Sequence, residues 1–155
     1  MPALQPVAHA LLQAQEELNA LMQGFPGALL WKRPAELASL GFHLQHMTGV
    51  LDRLFTYANA QMLSAAQLEW LAAEGKTPEI AVSTGDLVQL FNRQADKAIA
   101  QIKITPADSL FETRGVGRAQ LPSTVMGLMV HAAEHTMRHL GQLLVTVKIV
   151  TLKAP

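Results

Sequence analysis

The sequence contains no cysteine, and that absence removes several chemistries at once. No disulfide can staple the fold, no thiolate can act as a nucleophile, and any metal site must use nitrogen and oxygen ligands. Charge is also sparse. Charged residues make up 15% of the chain, and 12 basic side chains balance 12 acidic ones to a formal net charge of zero. With no basic surplus to neutralise a phosphate backbone, nucleic acid is excluded as an expected partner. Aromatic residues are only 5% of the chain; Trp31, Trp70 and Tyr57 are read as packing or interface residues. No apolar run reaches the roughly 18 residues that a membrane-spanning helix needs. Near the N-terminus Gln5, His9, Gln13 and Gln15 interrupt the apolar residues and no basic stretch precedes them, so no targeting signal is predicted and a cytoplasmic location is expected.

What is present is apolar. Half of the 155 residues are hydrophobic, which argues against disorder and suits one domain, residues 1–155, with a substantial core. Apolar residues recur with the 3.6-residue period of an amphipathic helix in four long segments. The first runs from about Leu4 to Met22 and ends at Gly24, Pro26 and Gly27. The second is expected from about Ala35 to Met62, with Pro34 at its start, where a missing N–H costs nothing. The third spans about Asp86 to Ile102, capped by Thr84 or a neighbour and closed by Pro106. The last runs from about Ser123 to Val147; its β-branched tail, Val145 to Leu152, is expected to leave the helix early. A short helix over Ala65 to Glu74 with Ser64 as cap is foreseen, as is an ordered loop or small hairpin between Asp108 and Pro122. The expected fold is all-α, an antiparallel four-helix bundle.

Five of the six histidines fall in two short runs. One is Phe42-His43-Leu44-Gln45-His46. The other places His131, His135 and His139 four residues apart, on one face of the last helix. Residues at that spacing have Cβ atoms about 5–6 Å apart, close enough for two imidazoles to converge on one ion at about 2.0–2.1 Å. His135 and His139 share a narrow sector with Leu128, Ala132 and Gln142. Glu134 and Arg138 point away from it and form an i,i+4 pair in the favourable order. Two rival motifs fail on inspection. His131-Ala-Ala-Glu134-His135 matches the inverted zinc-peptidase pattern, but Glu134 is the last acidic residue, so the downstream carboxylate ligand is missing. A di-iron carboxylate bundle needs Glu-x-x-His on two helices, and that spacing does not occur here.

The run His131…His135…His139-Leu-Gly-Gln142, closing a bundle, resembles the DinB/YfiT-like superfamily. Ser39-Leu-Gly-Phe-His-Leu-Gln-His46-Met followed by Asp52-Arg53-Leu resembles the second helix of that family, and Gly117 to Val125 looks like the lead-in to its last helix. The resemblance implies a four-helix bundle in which His46, His135 and His139 hold a divalent metal ion, with one or more positions left to water or substrate. On the helical wheel alone His43 lies nearer the core stripe than His46, which sits at the rim beside Val50 and Phe42. His43, His131 and Gln142 are then expected to line the pocket or to orient the ligand imidazoles. Arg114 and Arg118 flank a glycine-rich turn and are candidates for an anion contact, although solvated loop arginines are the simpler account of them. His9 is expected to be a partly exposed helix residue.

Three histidines and an open position form a catalytic type of site. Zinc or nickel is the expected ion, since imidazole suits both. The resemblance further implies a metal-dependent hydrolase, or a transferase or isomerase that uses a low-molecular-weight thiol on a small-molecule substrate. A stress-related metal- or partner-binding bundle without turnover is the competing expectation. The last helix carries apolar residues all round, among them Met126, Val130, Leu140, Leu144 and Val147, and this predicts a homodimer.

Overall fold

The structure, a computed structural model, describes residues 2–152. Four long helices dominate it: α1 (Gln5–Met22), α2 (Leu40–Ala58), α4 (Thr84–Ile104) and α5 (Val125–Thr151). The short helix α3 (Ala65–Ala73) lies between α2 and α4. Strands β1 (Thr113–Val116) and β2 (Leu121–Thr124) form an antiparallel hairpin, with Thr113 opposite Thr124 and Val116 opposite Leu121. The expected all-α bundle, short extra helix and small hairpin are all there.

Side-chain contacts give the helix directions. Gln15 bonds the Asn92 carbonyl and Asp96, and Asn19 bonds Asn92, so α1 and α4 run antiparallel. His46 meets His135 and His43 meets His139, so α2 and α5 are antiparallel as well. Gln94 reaches Asp52, and Gln101 reaches the Phe55 carbonyl and Asn59, which makes α2 and α4 parallel neighbours. Parallel neighbours require a crossover connection. The segment between α2 and α4 must carry the chain back along the whole of α2, roughly 28 Å at 1.5 Å per residue. That returning segment contains α3, and it brings Glu74 back to the level of the α2 histidines.

Four of the boundaries that differ from the sequence-based expectation have an identifiable physical reason. Helix α2 begins at Leu40 rather than Ala35, because Ser39 caps it by accepting from the Phe42 N–H. Pro34 instead opens a single short turn, Pro34–Glu36, within which Ala35 and Glu36 take left-handed φ values of 47° and 62° that no helix continues through. The same helix stops at Ala58, not Met62, and Ala60 is again left-handed. Helix α4 begins earlier than expected: Ser83 forms a capping box with Asp86. Helix α5 continues to Thr151, beyond the expected end at Val147. Thr146 and Val147 are buried on its inner face, and this packing outweighs the weak helix propensity of the β-branched tail.

The core fills the space between the four long helices. Leu11 and Leu18 of α1, Leu44, Met47 and Leu51 of α2, Phe91 and Ile102 of α4, and Leu128, Met129 and Leu143 of α5 are essentially inaccessible to solvent. Of the apolar residues expected on the outside of α5, Leu140 and Val147 are in fact buried, whereas Val130 and Leu144 are exposed. Among the described residues, no helix is long and apolar enough to cross a membrane.

Candidate metal centre

Because α2 and α5 are antiparallel, ascending one helix descends the other, and the two histidine runs meet rung by rung. His46 Nε2 lies 2.9 Å from His135 Nε2. The His139 ring centroid is 4.5 Å from that of His46 and 4.6 Å from that of His135. One ligand atom from each of these three residues falls within 4.8 Å of the others. Two nitrogens at 2.0–2.1 Å from a common ion, at right angles, stand roughly 3 Å apart, so the His46–His135 spacing is that of a ligand pair. His43 takes a different place. Its Nδ1 is 3.0 Å from Nδ1 of His139, behind the group of three. Phe42 stacks on the His46 ring, with centroids 5.0 Å apart and planes 13° from parallel, and covers one face of that imidazole.

A residue that the sequence did not single out completes the arrangement. Glu74, just past the end of α3, places Oε2 2.6 Å from His46 Nδ1 and Oε1 2.6 Å from Arg53 Nη1. Its side chain is only 5% exposed. A carboxylate can only accept, so Nδ1 of His46 carries the proton and Nε2 presents its lone pair to His135 and His139. Two glycines make room for the approach. A Cβ on Gly49 would overlap Glu74, Arg53 and Trp70, and Gly75 turns the chain with a φ of 81°. The turn is tied to α2 by the Gly75 N–H and the Trp70 indole N–H, which both donate to Gln45, one to its side chain and one to its carbonyl. The available sequence signal was indirect: Gln45 and Arg53 are polar residues on buried positions of α2, and each required a partner.

Burial governs the protonation of the cluster. Desolvation, then the neighbouring His46, brings His43 down to about 4. Desolvation followed by His46, His135, His43 and Arg138 brings His139 down to about 3. His135 is lowered in the same way, by desolvation first and then by His46, His131 and Arg138, with Glu134 opposing. These imidazoles are therefore neutral at neutral pH, which is the form that binds a metal.

The sequence model of the DinB superfamily matches residues 10–143. The chain belongs to the DinB superfamily. A crystal structure of a conserved protein of locus from Enterococcus faecalis superposes with a TM-score of 0.67 over 95% of this chain and 96% of that one, at 16% identity. At that identity the likeness concerns the fold alone. No curated protein matches this DinB-superfamily chain.

The donor set fits a divalent ion. Three imidazoles converge, and two of them are held neutral by burial. The other expected residues occupy varied positions. His131 is exposed and 3.3 Å from Glu134, which in turn pairs with Arg138 on the outer face of α5. His131, Glu134 and His135 form a second, more exposed group of possible ligands. Arg114 donates to the Ala58 and Thr113 carbonyls and to Glu112, so its guanidinium ties the hairpin to the end of α2. Arg118 is exposed in the hairpin turn, and His9 is exposed on α1. Gln142 lies on the wall of a groove of about 570 Å³ that also takes in Phe42, His43, His139, Gly141 and Val145. Of the cavities in the bundle, this one is walled by a histidine of the convergent group. An equally large hollow between α2, α3 and α4 contains no histidine.

Proposed function

We propose that this DinB-superfamily protein binds a divalent metal ion, zinc or nickel, through His46, His135 and His139, and acts as a metal-dependent enzyme on a small molecule. The reaction class is hydrolysis, or transfer or isomerisation with a low-molecular-weight thiol. The observation that carries the proposal is the convergence of three imidazoles from two helices, one of them backed by a buried carboxylate. A divalent ion in such a site lowers the pKa of a coordinated water or thiol and polarises a carbonyl. The chain's own residues supply the rest. His43 and Glu74 orient His139 and His46, Phe42 shields the His46 ring, and the groove beside His139 receives the substrate body. A thiol cosubstrate agrees with a protein that has no cysteine of its own, and with a cytoplasmic setting in which thiols stay reduced. The homodimer belongs to the same proposal, since Leu12, Val130, Leu144, Val145 and Ile149 remain exposed on the helical surface. Single alanine substitutions at each histidine, with zinc or nickel titrated into chelator-stripped protein, test the site. His46→Ala, His135→Ala and His139→Ala are expected to abolish binding and His9→Ala to leave it intact. Binding unaffected by all of them would end the proposal. Ester and amide hydrolysis and thiol conjugation, assayed on loaded protein, separate an enzyme from a non-catalytic metal-binding bundle.

A further inference from the structure

Helix α3 has an unusual role in the bundle. None of its residues is buried, and it packs principally on α2. A helix of nine residues with no buried apolar face is held by something other than hydrophobic contact. Its attachments are polar and specific. Gln67 donates to Asp52 and to the Thr56 hydroxyl, each at 2.8 Å. The Trp70 indole donates to the Gln45 carbonyl at 3.0 Å. At its end Glu74 bridges Arg53 and His46. Glu74, with its side chain only 5% exposed, therefore ties the end of α3 to one of the three convergent histidines as well as to Arg53.

We infer that Glu74 is the positioning residue of the metal centre, and that docking of α3 on α2 is coupled to metal binding through the Glu74–His46 hydrogen bond. The inference rests on the metal-binding proposal. A neutral imidazole carries one proton on either nitrogen, and only the bare nitrogen can ligate. Glu74 accepts from Nδ1 and leaves Nε2 bare on the side of His135 and His139. Without that acceptor the proton can occupy either nitrogen, and the ring loses its fixed orientation. Arg53 holds the carboxylate from the other side, so Oε2 cannot turn away to solvent. Such outer partners of ligand histidines are generally worth about 10- to 100-fold in metal affinity. Linkage then works in both directions: if Glu74 favours the ion, the ion favours the docked position of Glu74 and of the helix that carries it.

The test uses Glu74→Ala, Glu74→Gln and Trp70→Phe in the full-length protein. Trp70→Phe removes an attachment of α3 without touching His46. Glu74→Gln keeps the shape and an acceptor oxygen while removing the charge, and covers the case in which the alanine variant, with Arg53 unpaired, folds poorly. Nitrogen-15 imidazole spectra of metal-free protein are expected to show His46 protonated at Nδ1 in wild type and in Trp70→Phe, and redistributed in both Glu74 variants. Zinc affinity is expected to fall about 10- to 100-fold in Glu74→Ala and by a smaller factor in Glu74→Gln, and to change less than about threefold in Trp70→Phe. Zinc is expected to slow amide exchange in residues 65–73 of wild type but not of Glu74→Ala. If wild type binds zinc and both Glu74 variants keep its affinity and its His46 tautomer, the inference is overturned while the metal site stands. Unchanged exchange in α3 on zinc binding overturns the coupling. If wild type binds neither zinc nor nickel, the metal site itself falls, and the inference with it.

Discussion

Nδ1 of His43 lies 3.0 Å from Nδ1 of His139, which sets the two histidines of α2 in different roles. The contact engages Nδ1 of His139, so His43 can accept the proton there and leave the other nitrogen of His139 bare for a metal. His46 enters the group directly. The expected consequence is a graded effect on zinc affinity. His46→Ala removes a ligand and is predicted to cost at least 100-fold, whereas His43→Ala removes an orienting partner and should cost about 10-fold. Competition titration against a chromophoric chelator measures both. The reverse order would make His43 the ligand from α2.

Much of this arrangement is legible in the sequence, because it depends on helical periodicity. His135 and His139 need only one helix to share a face. The meeting of α2 with α5 needs only an antiparallel pair. Ser39 also marks the true start of α2, yet Pro34 is the louder signal, and the left-handed backbone at Ala35 and Glu36 cannot be read from residue types that rarely adopt it. Glu74 could not be found this way. Its partner His46 is 28 residues distant, and the crossover that joins them is set by the parallel packing of α2 and α4, a property of the assembled bundle. The β-branched end of α5 misled for a related reason: propensity is local, and the burial of Thr146 and Val147 is not.

Acid should destabilise the metal-free protein through the same cluster. The pKa values of His43 and His139 are lowered to about 4 and about 3, and that of His135 is lowered as well. In the unfolded chain each titrates near the ordinary value of about 6.5. The unfolded state therefore takes up protons first. The stabilisation is fully present above about pH 6.5 and is lost progressively as the pH falls toward 4. His139 is faced by His46, His135, His43 and Arg138, so its protonation would add a positive charge among groups that already repel one. Urea midpoints of chelator-stripped protein are expected to be level between pH 7 and 8 and to decline between pH 6.5 and 4.5. In His139→Gln the decline should be shallower. An equal decline in that variant would assign the acid sensitivity elsewhere.

Gly49 of α2 and Gly141 of α5 should respond in opposite directions to the same added methyl group. At Gly49 a Cβ would collide with Glu74, Arg53 and Trp70, so Gly49→Ala must push the α3 end of the crossover off α2. A loss of about 1–3 kcal/mol is expected, together with weaker zinc binding. At Gly141 nothing lies within 4 Å of the added carbon. Gly141→Ala is therefore predicted to raise stability by about 0.5–1 kcal/mol, the usual difference between the two residues inside a helix, with zinc affinity unchanged. Denaturant melts of the two variants provide the comparison. A neutral Gly49→Ala would mean that α3 and Glu74 can shift without consequence.

The open space beside Gly141 also permits a test of the groove as the substrate site. The groove has a volume of about 570 Å³, and His139 shares its wall with Phe42, Leu37 and Val145. A ligand with a metal-coordinating head and an apolar body should place the body there. Benzohydroxamate and acetohydroxamate share a head and differ in the body. Burying the phenyl ring against this wall should favour benzohydroxamate by about tenfold or more in zinc-loaded wild type, the effect of one to two kcal/mol of apolar burial. Gly141→Leu projects a branched side chain into the groove without a clash in the backbone. It is expected to leave zinc affinity within about twofold and to erase the preference for the phenyl compound, because only the body of the ligand competes with the new side chain. Calorimetry with both hydroxamates on both proteins reads the difference directly. If Gly141→Leu retains the preference, the apolar body lies elsewhere and the groove beside His139 is not the substrate site.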